Sequence, residues 1–196
     1  MGCGKNGTFD KVPDLTQWAI LTQHRNGKLN QTSLQHLYGM WIARWIKWFA
    51  LETLTFQLEP IGGHGTWDGK QVFGQISTTQ HEGPIATLTR ATIRISKMKY
   101  FWQNVAPVAA NMLTAPGFEF SVGIGEIPWI KQATFSIWTT ETHMKNFAYG
   151  MKTHSEVIKK TRKEKWYSED MFVRFKILHT EGQLRNYPPV KRNPYF

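Results

Sequence analysis

Residues 132 to 175 read QATFSIWTTETHMKNFAYGMKTHSEVIKKTRKEKWYSEDMFVRF, and this pattern limits the fold more than any other stretch does. Gln132 to Trp138 alternates and is rich in β-branched and aromatic residues, as a half-buried strand is. Thr139, Thr140 and Glu141 supply a helix N-terminal signal ahead of Met144, Phe147 and Ala148, and Gly150 stops that helix. Thr153 with Glu156 three residues on forms a capping box for a second helix. Along that helix His154, Ile158, Thr161 and Arg162 fall on one face. After Trp166 and Tyr167 the alternation returns from Met171 to Leu178. The spacing predicts strand, helix, helix, strand, with a histidine and an arginine on one helix face. By itself a histidine near a helix start is more often a surface or capping residue than a ligand, and Arg162 belongs to a basic run that reads as a solvated surface.

With 196 residues, 41% of them hydrophobic and 19% charged, the chain has enough apolar surface for one sizeable core or two small ones. Nine tryptophans are enough to line a pocket or a large interface, and equally fit plain core. A net charge of +10 admits nucleic acid, an acidic protein or an anionic membrane. The cations are scattered and match no zinc-finger, RNP or basic-zipper pattern, so no nucleic-acid partner is expected. Cys3 is the single cysteine, which excludes an internal disulfide and a cysteine-based metal cluster. The apolar run from Met40 to Leu51 contains Arg44 and Lys47, so it does not read as a membrane span. Met1 is followed by no charged and apolar leader pattern. A cytoplasmic location follows as the expectation.

Taken in order, Gly2-Cys3-Gly4-Lys5-Asn6-Gly7 formally matches G-x-G-x-x-G. It lacks the preceding strand and following helix that a phosphate loop needs. Gln17 to Thr22 reads as a short strand. Thr32 or Ser33 caps a helix whose Leu37, Trp41, Ile42, Trp45, Trp48 and Phe49 form a broad apolar stripe. Thr53 to Pro60 is a strand ended by Gly62-Gly63-His64-Gly65. Trp67 to Pro84, with Asp68-Gly69 and Val72-Phe73, reads as a hairpin plus linker. Ile85 to Ile95 is the clearest strand. Ser96 then caps a helix with Met98, Phe101, Trp102, Val105 and Val108 inward and Pro107 kinking or dividing it. Ala115-Pro116-Gly117 ends this helix, and Phe118 to Ile124 is a strand.

The two halves repeat each other. Gly2-Cys3-Gly4, Pro13, Gln17 to Ile20, a helix, Thr53 to Pro60 and Gly62 correspond to Gly123-Ile124-Gly125, Pro128, Gln132 to Trp138, helices, Phe172 to Leu178 and Gly182. The division is 1–66 for a first repeat, 67–84 for hairpin and linker, 85–182 for a second, complete repeat, and 183–196 for a tail. Only the second copy has a strand and helix in front, so the first is expected to be truncated at its N-terminus. The fold class is α+β: duplicated ferredoxin-like halves of the dimeric α/β-barrel type, their sheets packed into a barrel with helices outside.

LTRATIRI, FEFSVGIGEIPWIKQATFSIW, HSEVIKKTRKEKWYSEDMFVRFKIL and GCGKNGTFDKVPDLTQWAIL resemble the spheroidene monooxygenase family, the acyclic-carotenoid 2-ketolases. The resemblance covers nearly the whole chain, and is strongest from Ile85 to Leu178. It implies a haem-dependent monooxygenase that takes O2 and electrons from a ferredoxin-like donor and oxidises C2 of an acyclic carotenoid, by hydroxylation and then ketone formation. It makes His154 the expected haem ligand, with His143 as runner-up, and gives Arg162 a propionate or an oxygen-polarising catalytic role. Phe147, Trp138 and Trp166 become candidate walls for haem or polyene, each also readable as core. His24, His36, His64, His81 and His179 rank lower. An apolar polyene implies transient contact with a membrane at its inner face, and a homo-oligomer is left open. The alternatives are a non-catalytic haem or apolar-ligand binder of this fold, or a cofactor-free small-molecule monooxygenase.

Overall fold

The computed structural model describes residues 2–3, 11–23, 41–127, 129–150 and 152–184, with backbone alone at 2–3, 42 and 152–155. Seven strands form one antiparallel sheet: β1 (Gly2–Cys3), β2 (Pro13–Asp14), β3 (Thr53–Gly65), β4 (Ile85–Ile93), β5 (Phe118–Ile127), β6 (Lys131–Trp138) and β7 (Tyr167–Gln183), in the order β2-β1-β5-β6-β4-β7-β3. The helices are α1 (Trp41–Phe49), α2 (Met98–Leu113), α3 (Glu141–Lys145) and α4 (Lys152–Lys163). From β4 to β7 the chain runs strand, helix, strand, strand, helix, strand, with β4 central between β6 and β7. That is the ferredoxin-like arrangement.

The central strand is buried on both faces, and its sequence shows why. Ile85, on one face, joins Trp138, Met112, Ala115, Met144, Phe147 and Ile61 under the helices. Ala86 and Leu88, on the other, join Phe120, Ala133, Ile137, Met171, Val173 and Phe175. At roughly 1.5–3 kcal/mol for each large side chain fully withdrawn from water, these two layers dominate the stability. The second layer is roofed by the chain itself. Register shifts at Gln57/Leu58 and Pro60/Gly62 bend the β3–β7 ribbon, as β-bulges do. The bend carries Phe56 to 6.2 Å from the Phe120 ring and 5.4 Å from the Phe135 ring, although β3 and β5 are not neighbours in the sheet. The 67–76 segment adds Trp67, Val72, Phe73 and Ile76 to the same roof.

The α+β, ferredoxin-like class is as expected, and among the described strands the two halves share one curled sheet with β2 and β3 at its edges. The segments 53–60 and 172–178, read as equivalents, pair antiparallel with each other, as strands related by a twofold axis do. Several expectations are corrected. Gln17 to Thr22 is not a strand: its backbone pairs with no neighbour among the described residues, and Trp18, Ile20 and Leu21 are exposed. Gly62 and Gly63 do not end β3. They lie within it, where a Cβ on Gly62 would meet the Arg174 guanidinium and one on Gly63 the Phe172 carbonyl. Ser96 caps nothing; it sits in a 3-10 turn, Ile95–Lys97, and α2 continues unbroken through Pro107. Thr153 falls in the first turn of α4 rather than before it. Val72-Phe73 lies in a turn instead of an extended piece. Thr32, Ser33 and the start of their helix lie outside the described residues.

One polar group interrupts the roofed face. Arg90 is fully buried and donates to Glu126 through Nε (2.8 Å) and Nη2 (2.9 Å), to Glu169 through Nη1 (2.9 Å) and to Asp68 through Nη2 (2.9 Å). Its guanidinium also stands 4.8 Å from the centre of the Trp67 ring. The three carboxylates hold its pKa above the ordinary arginine value against the opposing effect of burial. Glu169 further accepts from the Gly69 N–H (2.7 Å), the Asp68 N–H (3.0 Å) and the Thr66 hydroxyl (2.6 Å), so Arg90 and Glu169 pin the 66–70 turn to β4, β5 and β7. Removing one member of a buried charge network strands the others. Arg90→Met is expected to lower stability by about 3–5 kcal/mol, read as a shift in urea midpoint at unchanged slope; a midpoint within error of the parent would show that the network holds nothing.

Acid acts on the same contact. The Gly69 N–H, first, and then the Thr66 hydroxyl and Arg90 hold the Glu169 carboxyl down to about 2, from an ordinary 4.5. A folded value below the unfolded one gives stability that is complete above about 4.5 and lost as pH falls toward about 2. Denaturation of parent and Glu169→Gln across that interval is expected to show their stability difference closing as pH falls; a difference constant with pH would refute the linkage.

Candidate active site

The helix layer over β5, β6 and β7 contains the residues singled out by sequence. Its position is set from below. Thr140 is extended, and its hydroxyl accepts from the His143 backbone N–H at 3.2 Å, so it caps α3 in the way the sequence signals. Glu141, at the first position of α3, is held by Arg174 of β7 and by Lys145 at 2.7 Å. Gly62 leaves the space in which the Arg174 guanidinium lies. Thus α3 is tied to the sheet by an ion pair as well as by Met144 in the apolar layer. A single π-helical turn, Asn146–Gly150, then carries Phe147 inward before α4.

His143 is half-buried on α3. Its Nδ1 lies 2.7 Å from the Thr139 hydroxyl and 3.1 Å from that of Thr140. The ring lies against Gly117, where a Cβ would overlap both the imidazole and the Thr139 hydroxyl. Gly117 has φ +74°, a conformation L side chains rarely adopt, so that position needs glycine twice over. Nε2 has no hydrogen-bond partner among the described residues. With the proton on Nδ1 and donated to threonine, Nε2 keeps its lone pair, the arrangement by which a protein orients a metal-ligating imidazole.

The other candidates are placed differently. Position 154 is in the first turn of α4, and the His154 side chain lies outside the described residues. Arg162 is exposed near the end of α4, one residue past the buried Thr161. Trp138 and Phe147 are buried against each other with ring centroids 5.1 Å apart, and Trp138 donates its indole N–H to Ser136 at 3.0 Å, which itself bonds Thr87 at 2.8 Å. Trp166 is fully buried and donates to Glu164 at 2.8 Å. Trp138 and Phe147 share one apolar layer and Trp166 is buried apart from it, so the three fill the interior rather than standing around an open slot. His64 stacks near Phe172 at 5.9 Å, away from His143 on the chain and on another strand. His24 and His36 lie outside the described residues, as does everything from residue 4 to residue 10.

A porphyrin supplies four of its iron's ligands itself, so the protein must offer an oriented imidazole and an apolar surface. His143 fits the first requirement in this structure. Trp138, Phe147 and Trp166 do not offer the second as free faces. No group of three or more His, Cys, Asp or Glu able to hold a bare metal ion occurs among the described residues. Sequence reasoning passed over Thr139 and Gly117 as partners of His143. The signal available was weak: Gly117 follows Ala115-Pro116 and reads simply as a helix end.

No protein-family model matches the chain. The spheroidene monooxygenase of Rhodobacter capsulatus is 32% identical over 191 residues, 96% of this chain and 78% of its own length. That of Cereibacter sphaeroides is 33% identical over 192 residues, 96% of this chain and 58% of its own length. That of Rubrivivax gelatinosus is 38% identical over 133 residues, 68% of this chain and 50% of its own length. The chain therefore spans only part of each relative. Solved structures are more distant. A variant of SnoaB, a cofactor-independent oxygenase from Streptomyces nogalater, matches 50% of this chain and 95% of its own at 15% identity and a TM-score of 0.41. Rv0793 from Mycobacterium tuberculosis matches 52% and 93% at 7% identity and a TM-score of 0.38.

The contact between Gly117 and His143 is open to a direct check. Gly117→Ala is expected to cost about 2 kcal/mol or more, from the left-handed backbone and the overlap together. Adding His143→Ala should recover part of that loss and leave the backbone share. Strict additivity of the two changes in denaturation would show that the imidazole does not rest on Gly117.

Proposed function

Because this chain belongs to the spheroidene monooxygenase family, we propose that it inserts oxygen at C2 of an acyclic carotenoid such as spheroidene, using haem and electrons from a ferredoxin-like donor. In each turnover one atom of O2 enters a C–H bond as hydroxyl. The other leaves as water, with two electrons from the donor and two protons. A second hydroxylation at the same carbon gives a gem-diol, and loss of water gives the ketone. Haem, when bound, supplies the oxidising power that no side chain has.

The observation that carries this reading is the anchored imidazole of His143, taken with the likeness to named monooxygenases. Two ligand assignments follow from it. His154 is supported by the resemblance of its HSEVIKKTRKEKW segment; His143 is supported by its geometry. In the second assignment Thr139 and Thr140 fix the imidazole through Nδ1 and the Nδ1–H tautomer leaves Nε2 for the iron, while Gly117 admits the ring. Arg162, exposed and cationic, suits a propionate, the part of a haem that meets water. Catalytic polarisation by Arg162 stays part of the proposal. Trp138, Phe147 and Trp166 act behind the site by fixing the helices, since each is already packed.

The test is purification with haem followed by the Soret spectrum of parent, His143→Ala and His154→Ala. Loss in His154→Ala alone upholds the first assignment, and loss in His143→Ala alone the second. An unchanged spectrum in both removes the helix layer as the source of the ligand. Turnover with a reduced ferredoxin, isotopically labelled O2 and spheroidene is expected to place label in the product. Haem binding without O2-dependent product would favour a non-catalytic binder; labelled product from colourless protein would favour cofactor-free chemistry.

A further inference from the structure

Helix α1 reads WIARWIKWF and contains no acidic residue. The structure turns it the opposite way from a core helix. Among its described side chains Ala43 is buried, at 6% exposure, whereas Trp41 (78%), Trp45 (53%), Trp48 (81%) and Phe49 (62%) face out. At 3.6 residues per turn these four share an arc of about 100°. The arc is a connected surface: Phe49 lies 5.1 Å from Trp45 and 5.1 Å from Trp48, ring centre to ring centre. Leu51, just beyond the helix, is 96% exposed. Arg44, exposed, borders the arc on the Trp48 side, and Lys47, also exposed, lies about 60° further round the same flank.

We infer that α1 is a membrane-surface anchor that docks this chain on an anionic lipid bilayer. The inference goes beyond the catalytic reading, because it stands on surface chemistry whether or not the chain turns over a carotenoid. Three observations select lipid as the occupant. Tryptophan, with an apolar body and one N–H, suits the headgroup level of a bilayer, where no single rigid partner surface is required. Arg44 beside the arc and Lys47 further round the same flank, on a chain of net charge +10, are complementary to anionic headgroups. A second copy of the chain is disfavoured, since a stripe meeting itself about a twofold axis would bring like cations together. Those same cations forbid a transbilayer path, so the helix lies along the surface with its aromatic arc inserted.

The experiment is sedimentation of the full chain, without haem or carotenoid, with vesicles of phosphatidylcholine alone or containing about one third phosphatidylglycerol. The expected result is binding to the anionic vesicles, weakened by salt. Trp41→Ala/Trp48→Ala should reduce it about tenfold or more, and Arg44→Glu/Lys47→Glu should abolish the preference for anionic lipid. All four positions are exposed, and unchanged circular dichroism verifies the fold of each variant. A parent that stays in the supernatant, or aromatic variants that bind like the parent, would overturn the proposal. So would a concentration-dependent dimer in light scattering that the same variants dissolve, for α1 would then belong to a second copy. Loss of turnover with vesicle binding intact would count against the enzyme reading and leave this one standing.

Discussion

Burying β4 on both faces is the constraint from which the rest of the structure follows. A strand withdrawn from water on two sides needs two separate covers. The helices provide one. The other comes from the bent β3–β7 ribbon and the 67–76 segment, which close over Leu88, Phe120 and Phe175. A single sheet with two covers explains why β7 runs for 17 residues. Its first half pairs with β4, and its second half leaves β4 to carry β3 across the face. It also explains why a charged side chain is tolerated in this layer. Arg90 stands where the roof ends, and the carboxylates of Asp68, Glu126 and Glu169 turn the gap at that edge into a clasp.

The sequence made legible what depends on local period and capping. Ile85 to Ile93 and Lys131 to Trp138 alternate and are strands; Thr140 was a cap in sequence and is one in the structure. Contacts made across long chain separations were not legible. Gly62 and Gly63 look like punctuation in a one-dimensional reading, yet they are where Arg174 and the Phe172 carbonyl approach. Gln17 to Thr22 has strand composition but no pairing partner among the described residues, and composition alone does not make hydrogen bonds. The apolar stripe through 41–49 was legible but its direction was not, because periodicity fixes which residues share a face, not which way the face turns. Arg90 in mid-strand offered no clue to its burial, because its three acidic partners lie 22, 36 and 79 positions away.

For the candidate site the division is similar. Residue types were visible: two histidines on consecutive helices, an arginine in a basic run, a group of aromatics. Their roles were set by packing. Trp138 satisfies its indole N–H on Ser136 within its own strand, and Trp166 uses Glu164 two residues before it. A buried tryptophan with its one donor already paired is a structural residue first. His143 differs in kind. One ring nitrogen is held by two threonine hydroxyls and the other is not, so its neighbours orient the ring without consuming the imidazole.

The precision of that imidazole is inherited from the sheet, through a path of short contacts. Absence of a side chain at Gly62 lets Arg174 rise from β7 to Glu141, and Glu141 fixes the first turn of α3. Thr140 closes the same turn from the other side by accepting the His143 N–H, while Gly117 at the start of β5 gives the ring a backbone floor. Two strands and a cap thus locate one side chain on a helix of five residues, a length that has little stability of its own. A side chain held this way takes its orientation from the sheet beneath it. The aromatic helix at 41–49 has the opposite relation to the fold. Among its described side chains it buries Ala43 and turns its aromatic face outward, an exposed apolar patch of the kind that gains free energy against a partner surface.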